Sequence, residues 1–508
     1  MLGLEGYSLA AVLPVTLALY FLANLAYTTI YNVFFHPLAH VPGPKLAGAT
    51  YLYQTYHSFM GGSRYYAKIK ELHEIYGPLV RITPDEVHLS DPENYEKINY
   101  VGSKYGKSAL YDAFGIGYST FSSRSPEVHR IRRSALNPFF SRKMVLELEE
   151  IVQTKADKLT ALAKNTFSAG RALNLHYGFR SISVDVITEY AFGQCYDLLD
   201  RPDLGEKFFD MVQGIGPTMW IFMQWPGLQK IALGLPPAIA SFMSPPVGQV
   251  IQLTAHCRKQ CAAVKETMDS GRAETRPSIF QALLSPQEKD ADYVIPTIDD
   301  LKDEAYSVLA ASADTTGNAM TVAAYKVVSN PEIFAKVTKE LEAEFPDPNE
   351  RLSFVRLETL PYLSAVIKEG LRLSFGVPGR LPRDVPDGGA TFNGVFIPAG
   401  SVVSMSSWVL HQDPEYFPDP LKFDPDRWLD RKEARRIDKA FVPFGKGTRG
   451  CVGMPLAYCE LYVSLGTLFR RFPTMKSNVL TKEDLVYDDY FSGYHPMKAT
   501  KFHVTGSI

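Results

Sequence analysis

Near the C-terminus the chain reads Phe444-Gly445-Lys446-Gly447-Thr448-Arg449-Gly450-Cys451-Val452-Gly453, a lone cysteine in a glycine-rich loop with an arginine two residues before it. Glycines let a backbone approach a flat ligand closely, and loop amides can hydrogen-bond a thiolate and tune it. Arg449 offers a cation to a carboxylate, and Phe444 an apolar cover for the sulfur. Gly445-x-Gly447-x-x-Gly450 imitates a dinucleotide fingerprint, which needs a strand before it, a helix opening on it and an acid about 20 residues later. Pro443-Phe444 is a poor strand end, and too little chain follows. A zinc site is also poor, because Cys451 lacks a C-x-x-C partner. Cys257 and Cys261 share a helix face but have no second pair, and read as buried thiols. What remains is the chemistry of a cysteine-ligated haem, whose thiolate pushes electron density to favour O–O cleavage.

A second group lies mid-chain, in Ala310-Ala311-Ser312-Ala313-Asp314-Thr315-Thr316-Gly317. It falls inside a helical pattern from about Thr297 to Asn330, opened by a capping-box-like Thr297/Asp300 and closed by Pro331. Asp, Thr and Gly are poor helix formers, set among small residues where bulky core side chains would be expected. Two readings fit. Either a carboxyl and a hydroxyl meet a ligand at a gap beside the helix, or a close helix crossing merely needs small residues.

These motifs resemble those of the cytochrome P-450 family. Phe444-x-x-Gly447-x-Arg449-x-Cys451-x-Gly453 matches its haem-binding signature. Glu369-Gly370-Leu371-Arg372, after Leu360-Pro361-Tyr362, is similar to its Glu-x-x-Arg helix. Phe423-Asp424-Pro425-Asp426-Arg427-Trp428 resembles its Pro-Glu-Arg-Phe segment, with Asp426 and Trp428 as departures. His129-x-x-x-Arg133 resembles its Trp/His-x-x-x-Arg element, and Arg383 sits where a further propionate-binding Arg is expected. The mid-chain stretch resembles the oxygen-activation helix, with Ser312 in place of the usual glycine. The resemblance covers about residue 37 to the end and is most like microsomal enzymes of filamentous fungi that oxidise terpenoids and other secondary metabolites.

The resemblance implies a mainly α fold with small β-sheets, one haem-binding catalytic domain behind an N-terminal transmembrane helix. It implies haem b with Cys451 as the axial thiolate, Phe444 beside the sulfur, and His129, Arg133, Arg383 and Arg449 at the two haem carboxylates. Asp314 and Thr315 would relay protons during dioxygen activation, while Glu369, Arg372 and Arg427 would be scaffold. Pocket walls would come from Tyr111–Phe121, the 211–246 segment, Ala310, Ala313, Val377–Arg380 and the Phe491 turn. The implied activity is NADPH- and O2-dependent monooxygenation of an apolar secondary metabolite, with a terpenoid as the family-level expectation. Desaturation, oxidative coupling or rearrangement without net hydroxylation stays open. The chain carries no visible flavin or iron–sulfur domain, so electrons would come through a separate NADPH–cytochrome reductase. That reductase would dock on a cationic surface near Cys451, with Lys446 and Arg130 or Arg132 as candidates.

These elements need a body to hold them. The chain has 508 residues, 46% of them apolar, which excludes disorder as the main state. A net charge of −2 gives no electrostatic case for nucleic acid. Five irregularly spaced cysteines do not make a disulfide framework. After Glu5 no charged residue occurs until Lys45, and Leu9 to Ile30 is an almost continuous apolar run, long enough for a bilayer core of roughly 30 Å. The expected plan is a membrane anchor over 1–36, a stiff extended proline-rich hinge over 37–50, and a catalytic domain over 51–508 facing the cytosol from the endoplasmic reticulum membrane. Between Asp210 and Arg258 the only charge is Lys230. Its prolines break that apolar stretch into short helices that dip into lipid, lid a pocket, or belong to the ordinary core. Short strands are expected at Leu79–Thr83, Val87–Leu89, Val395–Ile397 and Val402–Met405, with a tight turn at Asn393-Gly394.

Overall fold

Thr297 and Asp300 cap each other: the Thr297 hydroxyl accepts from the Asp300 amide, and the Asp300 carboxylate accepts from the Thr297 amide. From this box the central helix, Ile298–Val328, runs unbroken for 31 residues, or about 46 Å. The computed structural model describes residues 9–507 except Gly61, 272–277 and 286–292. The expected acidic start of the anchor, with Glu5, lies outside the described residues.

Leu175–Phe192, Pro245–Asp269, Pro361–Ser374 and Met454–Arg471 all pack on the central helix. Two crossings are close enough to demand glycine. A Cβ at Gly317 would lie 2.8 Å from the Arg180 Cα, and one at Gly370 would lie 2.6 Å from the Ala323 Cβ. The small residues of the mid-chain stretch therefore serve both expected purposes, a crossing at Gly317 and open space before it. Buried side chains such as Phe179, Phe280, Met320 and Phe469 fill the core, each contributing roughly 1.5–3 kcal/mol relative to exposure.

The expected strands form at Leu79–Arg81, Glu86–Leu89, Val395–Ile397 and Val402–Ser404. The largest sheet has five strands, in the order Leu79–Arg81, Glu86–Leu89, Val402–Ser404, Arg383–Asp384, Gly106–Lys107. Its last pair sets Lys107 directly opposite Arg383. A separate hairpin, Asp488–Tyr490 with Ser492–Tyr494, turns at Phe491, whose φ is +77°. The Asp489 carboxylate accepts from the Phe491 amide at 3.0 Å and holds that turn.

At the N-terminus, Leu9–Ile30 is helical and is followed by a π-helical turn, Tyr31–Phe35. Leu13–Phe35 is long and apolar enough to cross a membrane, and none of it is buried. The segment expected to be a hinge is not extended. It turns, with the Ala39 and Val41 amides bonded to the carbonyls of His36 and Leu38. Leu38 and Val41 are buried in a core with Leu79 and Val87. Its prolines lack amide donors, so the segment could bury two apolar side chains without leaving donors unpaired.

The mid-chain apolar segment folds as Glu206–Gln224, Pro226–Leu233 and Pro237–Met243. Ile215, Met219 and Trp220 are buried, while Trp225, Ile231, Phe242 and Met243 are exposed. Phe59 stacks on Trp225, with ring centroids 6.3 Å apart, and brings the exposed Tyr56 and Met60 alongside.

Candidate active site

The Cys451 loop is closed by backbone bonds: Cys451 N–H donates to the Phe444 carbonyl at 2.8 Å, and Gly445 N–H to that of Val442 at 3.1 Å. Gly447 has φ +66°, and a Cβ there would lie 2.5 Å from the Asn99 carbonyl oxygen, so only glycine fits. Met454–Arg471 starts just after the loop, and the Gly453 and Met454 amides turn toward the Cys451 sulfur. The thiol has accessible surface, but it faces a cavity and not bulk water. Burial therefore raises its pKa, opposed by the Gly453 amide, the Arg133 cation and the Met454 amide.

That cavity has a volume of about 430 Å³. Cys451, Phe444, Arg383, Arg449 and Thr315 all line it; Asp314, His129 and Arg133 do not. Its other walls are mostly apolar. Tyr111, Phe114, Phe121 and Phe491 pack edge to face, with Phe491 5.3 Å from Phe114 and 5.2 Å from Phe121 by ring centroid. Val212, Ile215, Met219, Ala310, Ala313 and Val377 also contribute. Arg380 does not; its guanidinium is buried against Glu86, 2.8 Å away.

A basic cluster borders the cavity. Lys107 lies beside Arg383 through strand pairing, and its ammonium sits over the Phe121 ring at 3.9 Å. Arg383 donates to the Tyr111 hydroxyl at 3.1 Å. Arg449 donates to the carbonyls of Ser123 and Arg124 at 2.6 and 2.9 Å, and Arg133 to that of Gly450 at 2.8 Å. Burial, then Arg449 and Arg133, push buried His129 down to about 3. Burial, then Arg383 and Arg449, push Lys107 well below the usual lysine range. Arg449 is pushed down to about 10 by burial and by Arg383. Among the described residues none of these five groups pairs with a carboxylate.

The cytochrome P-450 family model matches residues 44–485. The chain belongs to the cytochrome P-450 family. It is 35% identical to a cytochrome P-450 monooxygenase of Cochliobolus heterostrophus, over 93% of this chain and 91% of that one. It is 35% identical to a tryptophan 6-hydroxylase of Fusarium equiseti, over 92% of each chain. It is 32% identical to a conidiogenone synthase of Penicillium rubens, over 91% of this chain and 93% of that one. Cytochrome P-450 enzymes are oxidoreductases that incorporate oxygen, and they carry haem on a cysteine thiolate.

The residues present fit that group. A basic cluster without acids suits two haem carboxylates, since buried charge needs a partner. Two buried atoms in it, His129 Nδ1 and Arg383 Nε, have no hydrogen-bond partner, and anionic oxygens would supply one.

The P-450 scaffold residues form one buried network. Glu369 and Arg372 are fully buried and joined at 2.7 and 2.9 Å. Arg427 and the Trp428 indole donate to the same carboxylate at 3.2 and 2.9 Å. Arg372 uses all five N–H donors, the others going to the carbonyls of His411, Pro420 and Lys422. Trp428, in place of the family's phenylalanine, thus adds a donor to Glu369.

Asp314 turns away from the P-450 cavity. Its carboxylate lies 2.6 Å from Arg180 Nε, with both side chains buried, beside a small polar void bordered by His176, Asp210 and His495. Thr315 faces the cavity, its hydroxyl donating to the Ala311 carbonyl at 2.9 Å. Arg132 is held by the carbonyls of Gly117 and Tyr118, and Lys446 by Glu96 at 3.0 Å.

Sequence reasoning missed Lys107, Arg180 and His411. His411 accepts from the Val442 amide at 2.9 Å and donates to the Arg372 carbonyl at 2.9 Å, joining the scaffold network to the start of the cysteine loop. A lone Lys, Arg or His outside a motif carries no signal. Lys107 reaches Arg383 through two short strands, Gly106–Lys107 and Arg383–Asp384, that were not among the expected ones.

Proposed function

We propose that this P-450 holds haem b through Cys451 and uses it for monooxygenation of an apolar secondary metabolite, with a terpenoid as the favoured class. The observation that carries the reading is the shared cavity: a thiol on a glycine loop, a helix hydroxyl at Thr315 and a mostly apolar wall meet in one space. When bound, the haem supplies the activation of dioxygen, one oxygen atom entering the substrate and the other leaving as water after two electrons and two protons. Phe444 lines the cavity beside the sulfur, and the Gly453 and Met454 amides stabilise the thiolate. Arg383, Arg449, Arg133, His129 and Lys107 would hold the two haem carboxylates. Thr315 would deliver protons, with Asp314 setting the field behind it through Arg180. The aromatic cluster around Phe491 orients an uncharged substrate and keeps water out.

The reading extends to the cell. Leu13–Phe35 supports a single-pass anchor, the exposed Trp225 and Phe242 support a second contact with lipid, and both suit the endoplasmic reticulum with the catalytic domain in the cytosol. Electrons would come from NADPH through a separate flavoprotein reductase.

The test is expression in microsomes with a fungal reductase, fed terpenes, tryptophan derivatives and polyketides under labelled dioxygen. An NADPH-dependent product carrying one labelled oxygen from a terpene is the expected result. Product only from a tryptophan derivative would overturn the substrate class, and product without NADPH or dioxygen would overturn the activity.

A further inference from the structure

Ser312, Thr315 and Thr316 gather three hydroxyls within two turns of the central helix, and all three line the cavity that holds Cys451. Residues three and four apart on a helix share a face, so Ser312 stands one turn before the two threonines. Its hydroxyl donates to the Leu309 carbonyl at 2.9 Å, just as Thr315 donates to that of Ala311 at 2.9 Å. Each proton rests on a backbone carbonyl inside a continuous helix, where the serine bond is a second and weaker one. The oxygen lone pairs are left for the cavity. Asp314 lies between these residues in sequence, yet its carboxylate is held by Arg180 and does not line the cavity. Over this stretch the central helix therefore presents its polar chemistry to the cavity as hydroxyls.

We propose that Ser312 is a second oxygen-activating residue: with Thr315 it holds a water molecule on this helix face and donates protons toward dioxygen being reduced in the cavity. The inference rests on the reading of Cys451 as the haem ligand. To act, the Ser312 hydroxyl leaves the Leu309 carbonyl. For every proton it hands on, its oxygen takes one from the held water, and that water takes one in turn from solvent, so serine and water both end uncharged. The electrons come from NADPH through the reductase, and the second oxygen atom leaves as water.

The test compares the full-length, haem-loaded wild type with Ser312→Ala, Ser312→Thr, Thr315→Ala and the Ser312→Ala/Thr315→Ala double variant, with Ser312→Gly as a second removal of the same hydroxyl. The carbon monoxide stretching frequency of the ferrous complex reports hydrogen bonding in the cavity without turnover. Product formed per NADPH reports coupling. Ser312→Ala should shift the stretch and lower coupling at least about threefold, and the double variant should fall at least about tenfold below either single one. Ser312→Thr should restore both readouts. A wild-type stretch and wild-type coupling in both Ser312→Ala and Ser312→Gly, while Thr315→Ala uncouples, would overturn the proposal and leave the serine bonded only to its own helix. Failure of the wild type itself to give a thiolate-type carbon monoxide band would instead overturn the Cys451 reading beneath it.

Discussion

Arg180 Nε lies 2.6 Å from Asp314 Oδ1, with both side chains almost fully buried on the side of the central helix away from Cys451's cavity. The guanidinium also reaches the His176 carbonyl at 3.0 Å and the Thr321 hydroxyl at 3.2 Å. This pair decides what Asp314 can do. A carboxylate so held can reach the cavity only through its field and through the helix backbone, while the neighbouring hydroxyls of Ser312, Thr315 and Thr316 line the cavity itself.

Removing one partner leaves the other buried and uncompensated. Arg180→Met should destabilise the fold by about 3–5 kcal/mol, and Arg180→Met/Asp314→Leu should recover most of that loss. Urea unfolding of the three variants against wild type checks it; equal stability of the single and double variants would show that the pair is not coupled.

Cys451→Ala should abolish the thiolate-type carbon monoxide difference band while the helical circular dichroism stays at wild type. The loop keeps its Cys451 amide bond to Phe444, so loss of the sulfur removes a ligand and not the loop. An unchanged band would assign the ligand elsewhere.

His411 makes the fold sensitive to acid. Burial holds it at about 3, far below its ordinary value of 6.5, with the Arg372 cation adding to the depression. The unfolded chain therefore binds the proton first. The stability from neutral His411 is complete above about 6.5 and is lost progressively as pH falls toward about 3. His495 acts in the same direction. His411→Gln, which can still donate and accept, should reduce the slope of unfolding free energy against pH in that window by about one proton. Urea midpoints followed by tryptophan fluorescence measure it, and an identical slope would exclude His411 as the acid-sensitive group.

Trp225, 47% exposed beside Phe59, should be quenched by brominated lipid in vesicles carrying the full chain. Trp225→Phe should remove the quenchable fraction, and Phe242→Asp/Met243→Asp should reduce it. Quenching untouched by Trp225→Phe would mean that this face does not meet lipid.

Much was legible along the chain. The capping box at Thr297, the turn at Asn393-Gly394, the short strands and the cysteine loop formed where spacing and residue type put them. The hinge was misread because prolines stiffen a segment without saying whether it extends or docks; burial of Leu38 and Val41 chose docking.

The sequence by itself determined the family, the sulfur ligand candidate, the long apolar N-terminal helix and the order of the motifs, because these depend on residues a few positions apart whose relations chain geometry sets. Tertiary structure alone decided which side chains reach the cavity. It joined Lys107 to Arg383 by strand pairing, bridged the scaffold to the cysteine loop through His411, and turned Asp314 toward Arg180, 134 residues away. A buried carboxylate takes whichever cation packing brings to it, and no local spacing names that partner.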